Sequence, residues 1–359
     1  MTTQLNRDRI LASLHGEEPD AVGVAEMIFW PDTVERWQQE GLPPGTDPGA
    51  HFGVDALRRS VVPDLTLQME TRVIREDENA IYRVNANGVT LMEKKGSYTP
   101  PAQIDSTIKS KADWLRVKPR MQPDESRIPP DYQEKYDSDR AANSVLLYKN
   151  PDPCWAAFGV LGYENALIKM AEDPDLVQDM VSTFTNLIIG LYEILEGKGL
   201  RFDVNWLNSD VCYRNGMLFS PRMYEQMVLP HHQRLTAYFD ARGMPTVFHT
   251  CGNVQQLVPL YIKAGVRGVH PLEARVGNDV REFRQLYGNQ MVFVGNINVD
   301  RLSGSQEDIE AEIRGKVPLA KQGGAYVFHS DHSIPPEISL KRYKYVLQCL
   351  RRFGASSQP

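Results

Sequence analysis

Two periodicities of apolar residues alternate along the second half of the chain. Short apolar runs, typical of buried strands, are separated by longer segments in which apolar residues recur every three or four positions, as in helices. The clearest helix follows Asp173 and Pro174, an N-cap and a first-turn proline. The predicted strands are Val145–Tyr148, Phe202–Trp206, Thr246–His249, Gly268–Pro271, Met291–Gly295 and Ala325–His329.

Two further strands are expected nearer the N-terminus. Val22–Phe29 is one, and the other lies within Val61–Val73, which makes eight. Strands that alternate with helices indicate a parallel sheet, and eight such units predict an α/β fold of the (β/α)8 TIM-barrel class. We therefore expect one domain over residues 1–359. A doubly wound open sheet should show a glycine-rich phosphate turn after an early strand, and the sequence contains none.

Residues 67–94 differ in amino-acid composition from the rest of the chain. They are rich in β-forming residues, and the turn-forming segment Asn85–Gly88 separates Ala80–Val84 from Val89–Met92. This pattern predicts an antiparallel β-hairpin inserted into the N-terminal half of the barrel.

Composition and charge exclude several classes of function. The net charge is -6 and the pI is about 5.8, which argues against a nucleic-acid-binding surface. No apolar run is long enough for a signal peptide or a membrane span. The four cysteines are far apart, which favours free thiols in a reducing compartment, and the cytoplasm is the expected location.

The predicted strand ends carry side chains that could bind a metal. His249 and Cys251 stand two residues apart, so on an extended strand they point to the same face. Imidazole and thiolate are ligands that zinc prefers, and a catalytic zinc site has three protein ligands and one open position. We expect His332, after the eighth strand, to be the third ligand. Further candidate ligands are Cys212, Glu273 and Asp331.

Two acidic residues, also at the carboxyl ends of predicted strands, could contact a substrate directly. Asp210 could orient a cationic substrate or accept a proton, although a salt bridge to Arg214 explains it equally well. Glu273 has the same two interpretations, with Arg275 as the alternative partner.

Three segments resemble the uroporphyrinogen decarboxylase superfamily: Leu218–Tyr224, Gly295–Val299 and Gly323–Pro336. The resemblance covers nearly the whole chain and implies a (β/α)8 barrel. One branch of the superfamily decarboxylates uroporphyrinogen without a cofactor. The other contains zinc-dependent methyltransferases, which move a methyl group between a methyl-corrinoid protein and a thiol such as coenzyme M.

The sequence shares features with both branches. His249 and Cys251 match the His–x–Cys zinc motif of the methyltransferases, whose third ligand is a cysteine at the position of His332. A Gly-His-Gly motif of the decarboxylases falls at the same place. The decarboxylases also carry arginines in a first-strand motif that binds substrate carboxylates. The equivalent Val24–Asp32 contains no arginine, which disfavours a porphyrin substrate because buried carboxylates would be left unpaired.

The resemblance therefore implies a zinc-dependent methyltransferase. Asp210, Tyr213 and Glu273 are expected to position the substrate, and Asn296 to donate a hydrogen bond to a bound group. The donor would be a corrinoid on a partner protein, and the chain would be a monomer or homodimer. One alternative is a metal-independent decarboxylase or lyase that uses His332 and Asp210 as acid and base. Another is a non-catalytic corrinoid- or porphyrin-binding module.

Overall fold

The computed structural model describes residues 4–97 and 99–356. The strands in this part of the chain are β1 (Gly23–Val24), β2 (Leu57–Arg58), β3 (Arg72–Glu76), β4 (Ala80–Val84), β5 (Val89–Lys94), β6 (Ala102–Ser106), β7 (Val145–Pro151), β8 (Val204–Asn208), β9 (Cys212–Tyr213), β10 (Gly216–Met217), β11 (Thr246–His249), β12 (Gly268–His270), β13 (Val292–Val294) and β14 (Tyr326–Phe328).

The helices of the same residues are α1 (Asn6–His15), α2 (Pro31–Gln39), α3 (Pro48–Phe52), α4 (Lys111–Val117), α5 (Tyr132–Ala141), α6 (Pro153–Leu161), α7 (Tyr163–Glu172), α8 (Pro174–Gly197), α9 (Pro221–Met227), α10 (Leu229–Asp240), α11 (Val258–Lys263), α12 (Val280–Tyr287), α13 (Val299–Leu302), α14 (Gln306–Ala320) and α15 (Leu340–Phe353). Short 3₁₀ turns cover Lys118–Arg120, Glu125–Arg127 and Ala274–Val276.

A parallel sheet of eight strands organises the fold, in the order β1-β14-β13-β12-β11-β8-β7-β2. The predicted number of strands and their parallel arrangement are confirmed. Within the described residues no ladder joins the edge strands β1 and β2, so the sheet is TIM-barrel-like and the ring is not closed. At that seam Ala25 forms one antiparallel bridge with Asp55, and the Glu26 N–H donates to the Val54 carbonyl at 2.9 Å.

The two faces of the curled sheet carry separate apolar clusters. Along β7, Val145 and Leu147 belong to an inner cluster, whereas Leu146 and Tyr148 belong to an outer cluster beneath the helices. This alternation follows from the pleat of the strand. The inner cluster fills the lumen with residues of α1, β7, β8, β11, β13 and β14 and with Ala25 after β1, and Leu57 of β2 packs against its edge.

Helix α1 covers the amino-terminal end of this lumen. Its Ile10 and Leu14 are buried in the inner cluster, and the Leu14 carbonyl accepts a hydrogen bond of 2.8 Å from Arg267. Because one end of the lumen is occupied by apolar side chains, polar groups are left to the opposite end, where the strands finish.

Two predictions about the elements need correction. The second barrel strand is Leu57–Arg58, before the predicted range Val61–Val73, because Arg72–Glu76 pairs antiparallel with β4. The predicted hairpin is present but is the centre of a four-stranded antiparallel sheet, β3-β4-β5-β6. After Pro221 the chain forms two helices, α9 and α10, which are divided at Val228 because Pro230 lacks the N–H that would continue a single helix.

No helix among residues 4–97 and 99–356 combines the length and apolarity that a membrane span requires.

We predict that Gly295→Ala destabilises the protein by roughly 2–4 kcal/mol, because the new side chain would require both backbone strain and displacement of a neighbouring strand end. Gly295 has a φ of 141°, and a Cβ there would lie 1.7 Å from the Pro271 carbonyl oxygen. Urea unfolding measures the change. The control is Gly159→Ala within α6, where no atom lies within 4 Å of the added Cβ; equal stability of the two variants would contradict the prediction.

Candidate metal centre

Adjacent parallel strands bring the polar strand ends together. His249, the last residue of β11, pairs in register with Asn208 of β8 and with His270 of β12. Val247, two residues earlier, belongs to the inner cluster, so the pleat directs His249 to the same side, above the apolar lumen. The carboxyl edge of the sheet therefore carries the candidate site, as in barrel enzymes generally.

Asp210, His249 and Cys251 form a cluster of three potential metal ligands, and we call these three residues the metal cluster. One ligand atom from each side chain lies within 4.8 Å of the other two. His249 Nε2 is 3.7 Å from Cys251 Sγ and 3.6 Å from Asp210 Oδ1. All three side chains are partly exposed, so a substrate could reach them. Nitrogen, sulfur and oxygen donors at this spacing match the donor set of a zinc site with one open position.

The backbone after His249 is held in place by the β8–β9 loop. The Cys251 N–H donates to Asp210 Oδ1 at 3.0 Å, and the Asn253 N–H donates to the Tyr213 carbonyl at 2.9 Å. Gly252 between them has a φ of 95°, and a Cβ there would lie 2.7 Å from Tyr213 backbone atoms. Only glycine allows this close approach, which brings Asp210 next to Cys251.

The electrostatics around Cys251 favour a bound cation. Burial raises the pKa of its thiol above the usual range, and the negative charges of Asp210 and Glu273 raise it further. Burial also lowers the pKa of His249, and the nearby positive charge of Lys149 acts in the same direction. Without a cation the site thus holds a neutral imidazole and a protonated thiol beside two acids. A divalent ion would offset the acidic charge and favour the thiolate, so the residues present fit a zinc ion.

In the described part of the chain, His332 and all three further candidate ligands, Cys212, Glu273 and Asp331, lie outside this cluster. The ring of His332 is 6.3 Å from that of Trp30 and T-shaped to it. Asp331 is fully buried and accepts the backbone N–H groups of Ala274 and Val299. Burial raises the pKa of the Cys212 thiol to about 12, and Cys212 is not among the grouped residues. The role of His332 as a ligand stays a prediction.

The predicted substrate and cofactor residues have different surroundings. Tyr213 is 48% exposed at the rim. Glu273 is close enough to Cys251 to affect its pKa. Asn296 is fully buried: its amide donates to the Leu272 and Asn278 carbonyls, and its Oδ1 accepts the Val280 N–H. Asn296 therefore braces the loops after β12, and its binding role stays a prediction.

Two histidines that the sequence does not assign to the metal site lie behind His249. His249 Nδ1 lies 2.8 Å from His270 Nδ1, and His270 Nε2 lies 3.2 Å from His329 Nε2. His329 Nδ1 hydrogen-bonds the Ser330 carbonyl. We call His249, His270 and His329 the imidazole chain. Each of these histidines lies at or near the end of a predicted strand, two residues after a position that faces the lumen. This shared position is the sequence signal that could have identified the imidazole chain.

Burial keeps the two inner rings of the imidazole chain, those of His270 and His329, in the neutral form. His270 and His329 are 3% and 4% exposed. Burial lowers the pKa of His270 well below its ordinary value and that of His329 to about 4. Glu26, whose Oε2 lies 4.0 Å from His329 Nε2, is also buried, and burial raises its pKa to about 7 despite hydrogen bonds from Ser330. The rings of His270 and His329 are therefore uncharged at neutral pH.

A family model for uroporphyrinogen decarboxylase (URO-D) matches residues 153–353, more than half of the chain. The chain belongs to the URO-D family. Its matched segment contains all three residues of the metal cluster and the whole imidazole chain. The resemblance expected from the sequence is thereby confirmed at the level of the family.

Curated relatives match over shorter segments. A uroporphyrinogen decarboxylase of Syntrophotalea carbinolica is 27% identical over 145 residues, which cover 39% of this chain and 40% of the relative. One of Geobacter sulfurreducens is 24% identical over 173 residues, or 46% of this chain and 50% of the relative. The matches thus span half or less of these URO-D proteins.

A solved structure matches along almost the full length. A methyltransferase from Methanosarcina mazei superposes with a TM-score of 0.62 over 97% of this chain and 99% of its own, at 18% sequence identity. At that identity the likeness establishes a common fold for the two chains.

We predict that Glu26→Gln stabilises the protein increasingly as the pH rises. Folding raises the pKa of Glu26 from its ordinary 4.5 to about 7. The folded state thus holds a proton that the unfolded state releases, so the native protein loses stability as the pH rises from about 4.5 through 7. Glutamine does not ionise, so the variant does not lose stability in this way. Above pH 7 its free energy of unfolding should exceed that of the wild type by about 3 kcal/mol.

Urea unfolding of both proteins between pH 5 and pH 8 measures this difference. The control is Glu282→Gln on the exposed face of α12, which should give the same small difference at every pH. A Glu26→Gln effect that does not change with pH would contradict the prediction.

Proposed function

We propose that this URO-D family member is a zinc-dependent methyltransferase. Asp210, His249 and Cys251 hold the metal, and a thiol or other small molecule accepts the methyl group. The observation that carries the proposal is the meeting of nitrogen, sulfur and oxygen donors within 4.8 Å at the exposed carboxyl edge of the sheet. We further propose that residues 1–359 form one domain around this site.

A zinc ion bound there would supply a Lewis acid that favours the thiolate form of an acceptor thiol at neutral pH. The protein itself positions the metal ligands and orients the acceptor. The Cys251 N–H fixes the carboxylate of Asp210, so that Asp210 Oδ1 stays within reach of His249 Nε2. Glu273, beside Cys251, and the exposed Tyr213 stand at the rim, where we propose that they orient the acceptor.

The methyl donor that we propose is a methyl-corrinoid carried by a partner protein, as the sequence resemblance implies. Support for a protein partner comes from the antiparallel sheet, which exposes the apolar side chains Val73, Ile74 and Ile104. Ile104 also lines a cavity of about 480 Å³ that extends to Tyr163 on α7. Burial raises the pKa of Tyr163, and the negative charge of Asp210 raises it further.

A metal-independent decarboxylase is the second candidate. It is favoured by the names of the two curated relatives, both uroporphyrinogen decarboxylases. In that case Asp210 would act in proton transfer, and treatment with a chelator would leave the release of carbon dioxide from the substrate unchanged. Loss of turnover on chelation, with recovery on addition of zinc, would exclude this alternative.

We predict that the purified wild-type protein binds about one equivalent of zinc and that Cys251→Ala reduces this to less than about a tenth, because the soft thiolate ligand is lost. Elemental analysis after zinc-replete purification and desalting measures the content. The matched control is Cys349→Ala in α15, which removes a thiol outside the cluster and should keep the full equivalent. Zinc-free wild-type protein would contradict the methyltransferase proposal.

We predict that Asp210, rather than His332, supplies the third protein ligand. Asp210→Ala should weaken zinc binding at least tenfold in competition with a chromophoric chelator, whereas His332→Ala should change it less than threefold. The reason is that Asp210 lies within ligand distance of the other two side chains and His332 lies outside the cluster. The reverse order of effects would restore His332 as the ligand.

A further inference from the structure

The imidazole chain runs from the metal cluster into the protein interior. Its three rings come from strand ends of one sheet: His249 ends β11, His270 ends the neighbouring β12, and His329 follows β14, which lies beyond β13. The contacts between ring nitrogens are 2.8 Å and 3.2 Å, which are hydrogen-bond distances. Each such contact needs one nitrogen that carries a hydrogen and one that carries a lone pair.

The direction of these hydrogen bonds is set at the inner end. His329 Nδ1 contacts the Ser330 carbonyl oxygen, which can only accept, so Nδ1 carries the hydrogen. A neutral ring with a hydrogen on Nδ1 has a lone pair on Nε2. His329 Nε2 must therefore accept from His270 Nε2. Burial of both rings disfavours an imidazolium that would donate in both directions.

The same reasoning then applies to the outer ring. Because His270 carries its hydrogen on Nε2, its Nδ1 has the lone pair and accepts from His249 Nδ1 at 2.8 Å. His249 is left with a bare Nε2. This is the nitrogen that lies 3.6 Å from Asp210 Oδ1 and 3.7 Å from Cys251 Sγ.

We infer that His270 and His329 are positioning residues for the metal site: hydrogen bonds that start at the Ser330 carbonyl hold His249 as the tautomer whose Nε2 lone pair faces Asp210 and Cys251. A metal-binding histidine commonly donates its other N–H directly to a carbonyl or carboxylate. Here two further imidazoles stand between that N–H and the carbonyl. The inference rests on the proposed metal site for its functional meaning, but the order of protons is a property of the metal-free protein.

Two-bond ¹H–¹⁵N correlation spectra of metal-free protein with ¹⁵N-labelled histidine test the order directly. In wild-type protein near pH 7.5, we expect the hydrogen on Nδ1 of His249, on Nε2 of His270 and on Nδ1 of His329. Single histidine variants assign the signals. A hydrogen on Nε2 of His249 in the wild-type protein would overturn the inference, even if zinc binds normally.

The variant His329→Phe removes the acceptor for His270 Nε2. His270 can then reverse its tautomer, and we expect His249 to show a mixture of tautomers and zinc binding to weaken about 10–100-fold. His329→Gln offers a side-chain carbonyl near the position of Nε2 and should restore most of the affinity. If His329 acted only by filling space, His329→Gln would not restore the zinc affinity and the Nδ1 tautomer of His249 together.

The control is His51→Phe on the exposed side of α3, which should change neither the His249 tautomer nor the zinc affinity. If His329→Phe leaves both unchanged, the inference is overturned. If the wild-type protein has the expected proton order but binds no zinc, the positioning of His249 stands and the proposed metal site fails. The two claims can therefore be separated, and the wild-type spectrum remains decisive even if a variant does not fold.

Discussion

The hydrogen bond between His249 and His270 connects the fold to the candidate metal site. One nitrogen of His249 faces its strand neighbour, and the other faces Asp210 and Cys251. Both orientations depend on the register of three parallel strands, β8, β11 and β12, which places Asn208, His249 and His270 side by side. Because a slip of one residue would turn His249 to the opposite face of the sheet, the register is the constraint on which the site depends.

The division of the lumen explains why these strands can carry polar residues at all. Apolar side chains and α1 fill its amino-terminal part, and the stability of the sheet comes largely from that burial. The carboxyl end contains groups that do not optimise stability. Among the described residues, Trp206 Nε1 and Asn208 Oδ1 are buried without a hydrogen-bond partner, and the pKa of Glu26 is raised by burial. Such local costs are concentrated where a protein binds or reacts.

The sequence predicts the general plan because its signals are local. The number of strands, the antiparallel hairpin and the shared orientation of His249 and Cys251 all follow from periodicities within a few residues. The place of Asp210 does not, since it depends on how the β8–β9 loop folds against Gly252. The contacts of His270 and His329 depend on pairing between strands, which no single strand encodes. For the same reason β2 was expected too late in the chain, where residues with strong β-propensity pair with β4 instead.

We propose that Asp210, His249 and Cys251 together bind one zinc ion. Zinc K-edge X-ray absorption of the zinc-loaded protein tests it most directly. We expect a four-coordinate ion with one sulfur at about 2.3 Å and the remaining nitrogen and oxygen ligands at about 2.0–2.2 Å, and we expect Cys251→Ala to lose the sulfur contribution. A zinc environment without sulfur in the wild-type protein, or one that Cys251→Ala leaves unchanged, would contradict it.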